Sequence, residues 1–539
     1  MNLLQLIGPL AGKDLLLADP KTRQSRNWAR VHITHVTGNP ADVIPGCLFV
    51  ATGPDPRRKI RRALSRGACA VVAGPRHAGE GEDLARHLAR LARLTGSSKP
   101  EIIRVRDAGR SLAILERSFY QQPSDRMPVI GITGTNGKTM TAFMINAILE
   151  ECGMKTGLLS TVSNKIGPLA TPASGAAEPV DPQPALRAMR EAGAEAAIVE
   201  FSSRSLAKGT SSGVSLDIAI LTNIALEHLT FHRNLKSYLA AKSRLLAALK
   251  PGGAVLYNAD DPLATRLSSQ GRALSFGIEQ EAHFRALDIQ SSCYGSIFRI
   301  KTAPGLAALD GSSIPEQELP VRLKIPGRHQ VYNALSACAT GLLLSLPVPG
   351  ITRAFERFPG VKRRFELIFD GSFRVIDDCA RNPGSIHAAL LEARRLAGRL
   401  IVVHALSAEE GIKTNWKNSL AFTALIPILQ PCWVIICGRA PSRVKTAFLA
   451  ELHTGGIDAF SSDDLAAALN LAIAGAGEGD LILLTGGHGM DQGARILAER
   501  LAVSPQLAYE EPFEEFDSGP LTLPLAGDWP SAPPFRVDL

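Results

Sequence analysis

Short, continuous apolar runs rich in Val and Ile recur along the chain, separated by stretches whose apolar positions repeat at helical spacing. They are CLFVA (47–51), ACAVVAG (68–74), PVIGITG (128–134), AAIVEF (196–201), DIAILTN (217–223), LIVVHA (400–405), CWVIICG (432–438) and DLILLTGG (480–487). Each is flanked by turn residues and lacks polar alternation, which is the pattern of a strand covered on both faces. Alternating with helical segments, these runs predict an α/β fold of mostly parallel sheets. Gly and Pro punctuation near 121–127 (QQPSDRM) and near 346–360 divides it into three α/β units, 1–120, 121–350 and 351–504. No internal repeat is visible. The segment 505–539 breaks the pattern, with seven of the 35 prolines and seven acidic residues against one basic. It reads as an acidic, Pro-rich tail, either extended on the surface or serving as a partner-binding or autoregulatory segment.

Composition narrows this picture slightly. The 539 residues are 45% hydrophobic, 20% charged and 5% aromatic, ordinary for a globular chain of several domains. A net charge of +8 suits anionic small molecules as well as nucleic acid, but no aromatic platform or nucleic-acid motif accompanies it, so a nucleic-acid role is not expected. The opening MNLLQLIGPLAGKDLLL lacks a basic leader, and its apolar stretches stop well short of the ~18 residues a membrane helix needs. The eight cysteines stand in apolar runs without metal-ligand spacing, as buried thiols of a reducing compartment do. A cytoplasmic monomer is expected.

The sharpest signal is VIGITGTNGKTMTAFMI (129–145): a buried strand, the loop Gly134-Thr135-Asn136-Gly137-Lys138-Thr139, then a helix. Such a loop points backbone N–H groups and a helix N-terminus at a polyphosphate, with Lys138 reaching the terminal phosphates and Thr139 free to ligate Mg²⁺. The strict Walker spacing is not met, because Ile132 stands where its first Gly would be. Glu200 ends a predicted strand, a natural place for a Mg²⁺ ligand beside such a loop.

FYQQPSDRMPVIGITGTNGKT (119–139) resembles the entry to the central domain of the Mur ligases, most closely the UDP-N-acetylmuramoyl-tripeptide synthetases. Thr171-Pro172, IVEFSSRSL (198–206), LTNIALEHLTFH (221–232), YLAAKSRLL (238–246) and LYNADDP (256–262) follow in the family's order. So do GRHQVYNALSA (327–337), VKRRFELI (361–368) and DCARNPGS (378–385). The resemblance covers roughly residues 1–500. It implies an N-terminal α/β domain that binds a UDP-linked substrate, a central ATP-binding phosphate-loop domain and a C-terminal Rossmann-like domain. It further implies ATP and Mg²⁺ as cofactors, with Glu200 and His228 as metal ligands. Lys242 is implied to be a carbamylated lysine beside the metal, although an exposed lysine on a helix is ordinarily a solvated face. Asn333 is implied to contact adenine, Arg364 the γ-phosphate and Asp378 the ribose; the alternative for Arg364, within a basic run, is a surface salt bridge. Thr171, Ser202, Ser203 and Arg204 fall to the substrate.

Departures concentrate at the amine end. The Asp-Asn-Pro-Arg box that holds the incoming diamino acid is replaced by CGRAPSR (437–443), and the Gly-Lys-Gly-His-Glu box by TGGHG (485–489), which keeps His488. The preceding loop reads HALSAEEGIKTNW (404–416). Loss of both charged partners points to a different acceptor rather than weaker binding of the same one. Nearer the chemistry, Thr230 replaces Asp, Arg204 and Arg381 each replace His, and Gln330 replaces Asn. The uridine motif is replaced by HVTGNPADV (35–43), followed by a basic run, Arg57, Arg58, Lys59, Arg61 and Arg62, that is either a solvated helix face or a polyanion contact. The expectation is an ATP-dependent amide ligase joining a UDP-muramyl peptide to an amino acid. The alternatives are a specialised ligase for another acid and amine, and a catalytically silent scaffold subunit.

Overall fold

The computed structural model describes residues 1–11, 14–16, 28–52, 55–74, 100–166, 169–172, 182–209, 211, 213–225, 232, 234–268, 271–407, 411–425, 432–438, 440–462 and 464–501. The tail 505–539 and His228 lie outside them.

Among the described residues the strands form three large sheets. The first holds four parallel strands, His35–Thr37, Cys47–Ala51, Ala70–Ala73 and Glu101–Arg104, in that spatial order. Leu48 and Val50 face one apolar layer, with Leu3, Leu6 and Leu115, whereas Phe49 and Val71 face another with Ile60 and Leu64. Because both faces are covered, neither face leaves a polar alternation in the sequence.

The second sheet has eleven strands. Its centre is parallel, running from Arg272–Gly277 through Leu249–Asn258, Leu216–Leu221, Val129–Thr133 and Ala196–Glu200 to Thr156–Leu159. Antiparallel wings extend both edges: on one side Phe284–Ser292, itself parallel to Arg272–Gly277, pairs antiparallel with Gly295–Thr302 and that with Glu318–Leu323, and on the other lie Ser163–Ile166 and Leu169–Pro172. These wings were not foreseen in the apolar runs. In Phe284–Ser292 buried Phe284 and Ala286 alternate with more exposed neighbours, the period-two pattern of a sheet wet on one face.

The third sheet runs Arg364–Asp370, Arg374–Asp378, Leu481–Gly486, Leu400–Ala405, Cys432–Cys437, Asp458–Ser461, antiparallel in the first pair and parallel thereafter. All eight continuous runs thus form parallel ladders, and the chain is α/β as expected. The stretch 346–360, read as a boundary, contains the helix Val348–Arg357. Its Ile351, Ala354 and Phe355 share the central core with Ile145 and Ile148, and Arg353 and Arg357 each pair with Glu151 at 3.1 Å.

Seven cysteines are described and all are free thiols. Burial pushes Cys47, Cys338 and Cys437 up to about 12, so these three stay protonated. Among the described residues no helix is long and apolar enough to cross a membrane.

Phe298, on a wing strand, is 1% exposed and belongs to the central core. Phe298→Ala is expected to cost about 3–5 kcal/mol in denaturant unfolding. A loss under ~1 kcal/mol would mean that this wing is not part of the packed core.

Candidate functional site

Val129–Thr133 lies between two parallel neighbours, so Thr133, Glu200 and Leu221 end their strands at one edge of the sheet. The loop 134–137 leaves from there and enters the helix Lys138–Glu151, whose N-cap Gly137 has φ +82°. A Cβ at position 134 would lie 1.8 Å from the Thr222 hydroxyl oxygen, and one at 137 would lie 2.4 Å from Asn333 Oδ1. Only glycine lets the backbone approach this closely.

The next strand end holds the loop in shape. Asn223 Oδ1 accepts from the Asn136 amide at 2.9 Å, while Asn223 Nδ2 and the Thr222 hydroxyl donate to the Asn136 carbonyl at 3.0 and 2.6 Å. Thr135 is tied to Ala225 and to the Tyr238 hydroxyl. Lys138 Nζ donates to the carbonyls of Gly134 and Thr135 at 3.1 and 2.9 Å, lying back over its own loop. Buried Glu200 accepts from the Thr139 hydroxyl at 3.0 Å and the Thr161 amide at 3.2 Å. A buried carboxylate and a hydroxyl gathered beside a phosphate-shaped loop are the oxygen donors that Mg²⁺ prefers. Among the described residues no three His, Cys, Asp or Glu side chains gather as a metal cluster.

Lys242 is fully buried, which sets aside the solvated face weighed as its alternative, with Nζ 3.4 Å from the Thr133 hydroxyl and 4.8 Å from the Tyr238 ring centre. Its position on Leu235–Leu246 turns it under the strand that feeds the loop. His232 lies edge-on to Tyr238 and bonds Ser203 Oγ at 3.0 Å. Burial holds its pKa below the usual histidine range, aided by the charges of Lys242 and Arg204. Ser202 caps the helix Ser203–Lys208 by accepting from the Ser205 amide at 3.0 Å. Thr171 stands apart, on the edge strand Leu169–Pro172.

At the far end of the loop, Gln330 and Asn333 sit one turn apart on Arg328–Leu343 and bond each other at 2.9 Å, while Thr141 donates to Asn333 at 3.3 Å. Arg364 and Asp378 are cross-strand partners in the third sheet. Burial pushes the Asp378 carboxyl up to about 7, against the opposing pull of Arg364. Burial works against the Arg364 charge too, but Cys379, Asp378 and, from the central sheet, Glu200 outweigh it and raise its pKa. Arg364 is half-buried rather than exposed, unlike the surface salt bridge considered as its alternative. Direct bonds join the unit of the third sheet to the central one: Asn382 Nδ2 to Asn136 Oδ1 at 3.1 Å and Gln330 Nε2 to the Arg364 carbonyl at 3.3 Å beside the loop, and, farther from it, the Arg328 amide to Glu392 Oε2 at 3.3 Å and the Tyr294 hydroxyl to Asp370 Oδ2 at 2.8 Å.

Sequence reasoning passed over Asn223, Thr161 and Asn382. Asn223 and Asn382 stood inside quoted motifs, but their use as braces depends on which strand ends meet, which no linear spacing states. The three divergent acceptor segments follow Leu400–Ala405, Cys432–Cys437 and Leu481–Gly486, neighbouring parallel strands whose carboxyl ends open together. In the basic run, Arg57, Arg58, Arg61 and Arg62 are exposed on Pro56–Ser65, whereas Lys59 Nζ donates to the Thr52 carbonyl at 2.8 Å.

Residues 132–341 match the Mur ligase middle domain, and 363–488 match the Mur ligase, glutamate ligase domain. The UDP-N-acetylmuramoyl-L-alanyl-D-glutamate–2,6-diaminopimelate ligase of Bacillus licheniformis is 32% identical over 474 residues, 85% of this chain and 90% of that one. The UDP-N-acetylmuramyl-tripeptide synthetase of Roseiflexus sp. is 32% identical over 482 residues, 83% and 88% of the two chains. The solved structure of MurF from Acinetobacter baumannii superposes with a TM-score of 0.59 at 19% identity, covering 87% of this chain and 94% of that one. Together the fold, the phosphate loop and these relatives define an ATP-dependent ligase that forms carbon–nitrogen bonds. The chain belongs to the Mur ligase family, whose cofactors are ATP and Mg²⁺.

Two outcomes follow from this geometry. Gly134→Ala must displace Thr222, so it is expected to abolish ATP binding while the far core stays folded; wild-type affinity by calorimetry would refute the close packing. Asp378 holds its proton more tightly folded, at about 7, than its ordinary value of 3.8. Its contribution to stability is therefore full below about pH 4 and is lost as the pH rises through about 7. Asp378→Asn is expected to flatten that fall in a denaturation series; an unchanged slope would place its origin elsewhere.

Proposed function

We propose that this ligase phosphorylates the carboxylate of a UDP-linked muramyl dipeptide with ATP and joins the acyl phosphate to an amine. The observation that carries this reading is the joining of the loop that bears Lys138 and Thr139 to the third sheet through Asn136–Asn382 and Gln330–Arg364, with Glu200 close enough to Arg364 to favour its charge. In this reading residues 1–120 bind the UDP-linked acid, 121–350 bind ATP and 351–504 hold the amine.

The loop Gly134–Thr139 receives the phosphates on its backbone N–H groups and the helix N-terminus. Lys138 exchanges its two carbonyl contacts for the β- and γ-phosphates. Asn333 contacts adenine, with Gln330 fixing its amide, and Asp378 contacts the ribose. The acid's carboxylate oxygen attacks the γ-phosphorus in line and ADP leaves, while Lys138 and Arg364 stabilise the spreading negative charge. The amine then attacks the acyl carbon, loses a proton and expels inorganic phosphate, leaving the amide. Thr171, Ser202, Ser203 and Arg204 position the acid.

Thr139, Glu200, His228 and a carbamylated Lys242 would hold Mg²⁺, which would supply neutralising charge to the phosphates. Support for carbamylation is the complete burial of Lys242 beside Thr133: addition of CO₂ exchanges a cation that burial disfavours for an anion that can face a metal. The missing Asp-Asn-Pro-Arg box favours an amine other than a diamino acid, and the altered uridine motif keeps another acid open as a second reading. The enzyme is proposed to act in the cytoplasm as a monomer.

Phosphate release from ATP with UDP-MurNAc-L-Ala-D-Glu across a panel of amines tests this. Release that needs the acid and one amine is expected, and Lys138→Ala is expected to abolish it. Turnover unimpaired in Lys138→Ala would refute the mechanism, and silence across the panel with ATP still bound would refute the assigned acid or catalysis itself.

A further inference from the structure

Arg364 is flanked by two non-glycine residues in the left-handed region, Arg363 at φ +60° and Phe365 at φ +58°. The pairing of Arg364–Asp370 with Arg374–Asp378 shifts register between Arg364 and Glu366. Side chains other than glycine adopt this conformation only where their surroundings over-determine it. Phe365 is fully buried and packs edge-on against His329, 5.4 Å between ring centres, on the first turn of the helix that carries Asn333.

Arg363 is fixed more elaborately. Its amide donates to Glu366 Oε2 at 2.8 Å, and its carbonyl accepts from the Cys379 amide at 2.9 Å. Its guanidinium reaches three places at once. Nε lies 3.3 Å from Oδ2 of Asp377, whose side chain is 1% exposed. Nη2 donates to the Gly486 carbonyl at 2.7 Å, and Nη1 pairs with Asp491. Gly486 closes the strand Leu481–Gly486, and Asp491 lies just past the turn that contains His488. The rigid fork of arginine can span these partners, whereas a single ammonium cannot.

We propose that Arg363 is a positioning residue that locks the 486–491 loop to the bulged strand presenting Arg364. The loop at the amine end and the arginine at the phosphate end then move as one body. Arg363 touches no reacting atom; it sets the direction in which Arg364 points. This inference rests on the proposed role of Arg364 at the γ-phosphate.

The test compares steady-state kinetics and thermal unfolding of the full-length wild type with Arg363→Gly, Arg363→Lys, Asp491→Asn, Arg364→Ala and the Arg363→Gly/Asp491→Asn double variant. Glycine accepts the left-handed backbone without strain but removes the clamp. Arg363→Gly and Arg363→Lys are therefore expected to lower kcat about 10- to 100-fold, the scale of a small misplacement of a catalytic group. KM for ATP should stay within about twofold, because transition-state and ground-state contacts separate in this way. Asp491→Asn should lose less, and nothing further once Arg363 is gone. Wild-type kcat in Arg363→Gly, or fully additive losses in the double variant, overturns the proposal. Should Arg363→Gly fail to fold, Arg363→Lys and Asp491→Asn decide alone, with wild-type kcat in both overturning it. An active Arg364→Ala instead removes the role of Arg364 on which the inference rests, whereas an inactive one beside a fully active Arg363→Gly refutes the clamp only.

Discussion

Steric crowding where three parallel strands end governs much of this molecule. The phosphate loop is pressed so tightly against Thr222 and Asn333 that two of its positions have no room for a side chain. That pressure turns the loop backbone, with its N–H groups, into a fixed surface, because any relaxation must move the neighbouring strand end or the helix Arg328–Leu343. The braces from Asn223 and Thr222 then hold the loop through the protein's own bonds, and a loop so fixed spends little binding energy on ordering itself. Parallel pairing makes this possible, since it brings the carboxyl ends of several strands to one edge.

Charge is handled within the same frame. Glu200, Lys242, Asp377 and Asp378 are all at least largely withdrawn from water, and each has a polar or oppositely charged neighbour from a different strand or helix. Perturbed carboxyls gather at the junction of the central and third sheets, where a nucleotide ligase must manage the most negative charge.

Much of this was legible in the sequence because it depends on local chemistry. A strand covered on both faces writes itself as an unbroken apolar run, and a phosphate loop needs its glycines and lysine in fixed order, so Val129–Lys138 could be read without a fold. The antiparallel wings escaped because their strands alternate and resemble loops when only continuous runs are sought. The burial of Lys242 escaped for another reason: the residues around it, Thr133 and Tyr238, differ in distance along the chain, and neither alone signals a cavity wall. Arg363 looked like one more charge in a basic run, since a left-handed backbone and an ion pair more than a hundred residues away leave no mark on spacing.

The junction between the central and third sheets is also notable for the kind of bond that spans it. Asn382 meets Asn136 as one neutral amide meeting another, an interaction worth about 1 kcal/mol net. A desolvated ion pair at this point would hold the two units together more firmly. Two amides register the third unit against the loop at this point without a strong hold. An enzyme that must admit a nucleotide, an acid and an amine in turn, and then release three products, gains throughput where the bond nearest its phosphate loop is this weak.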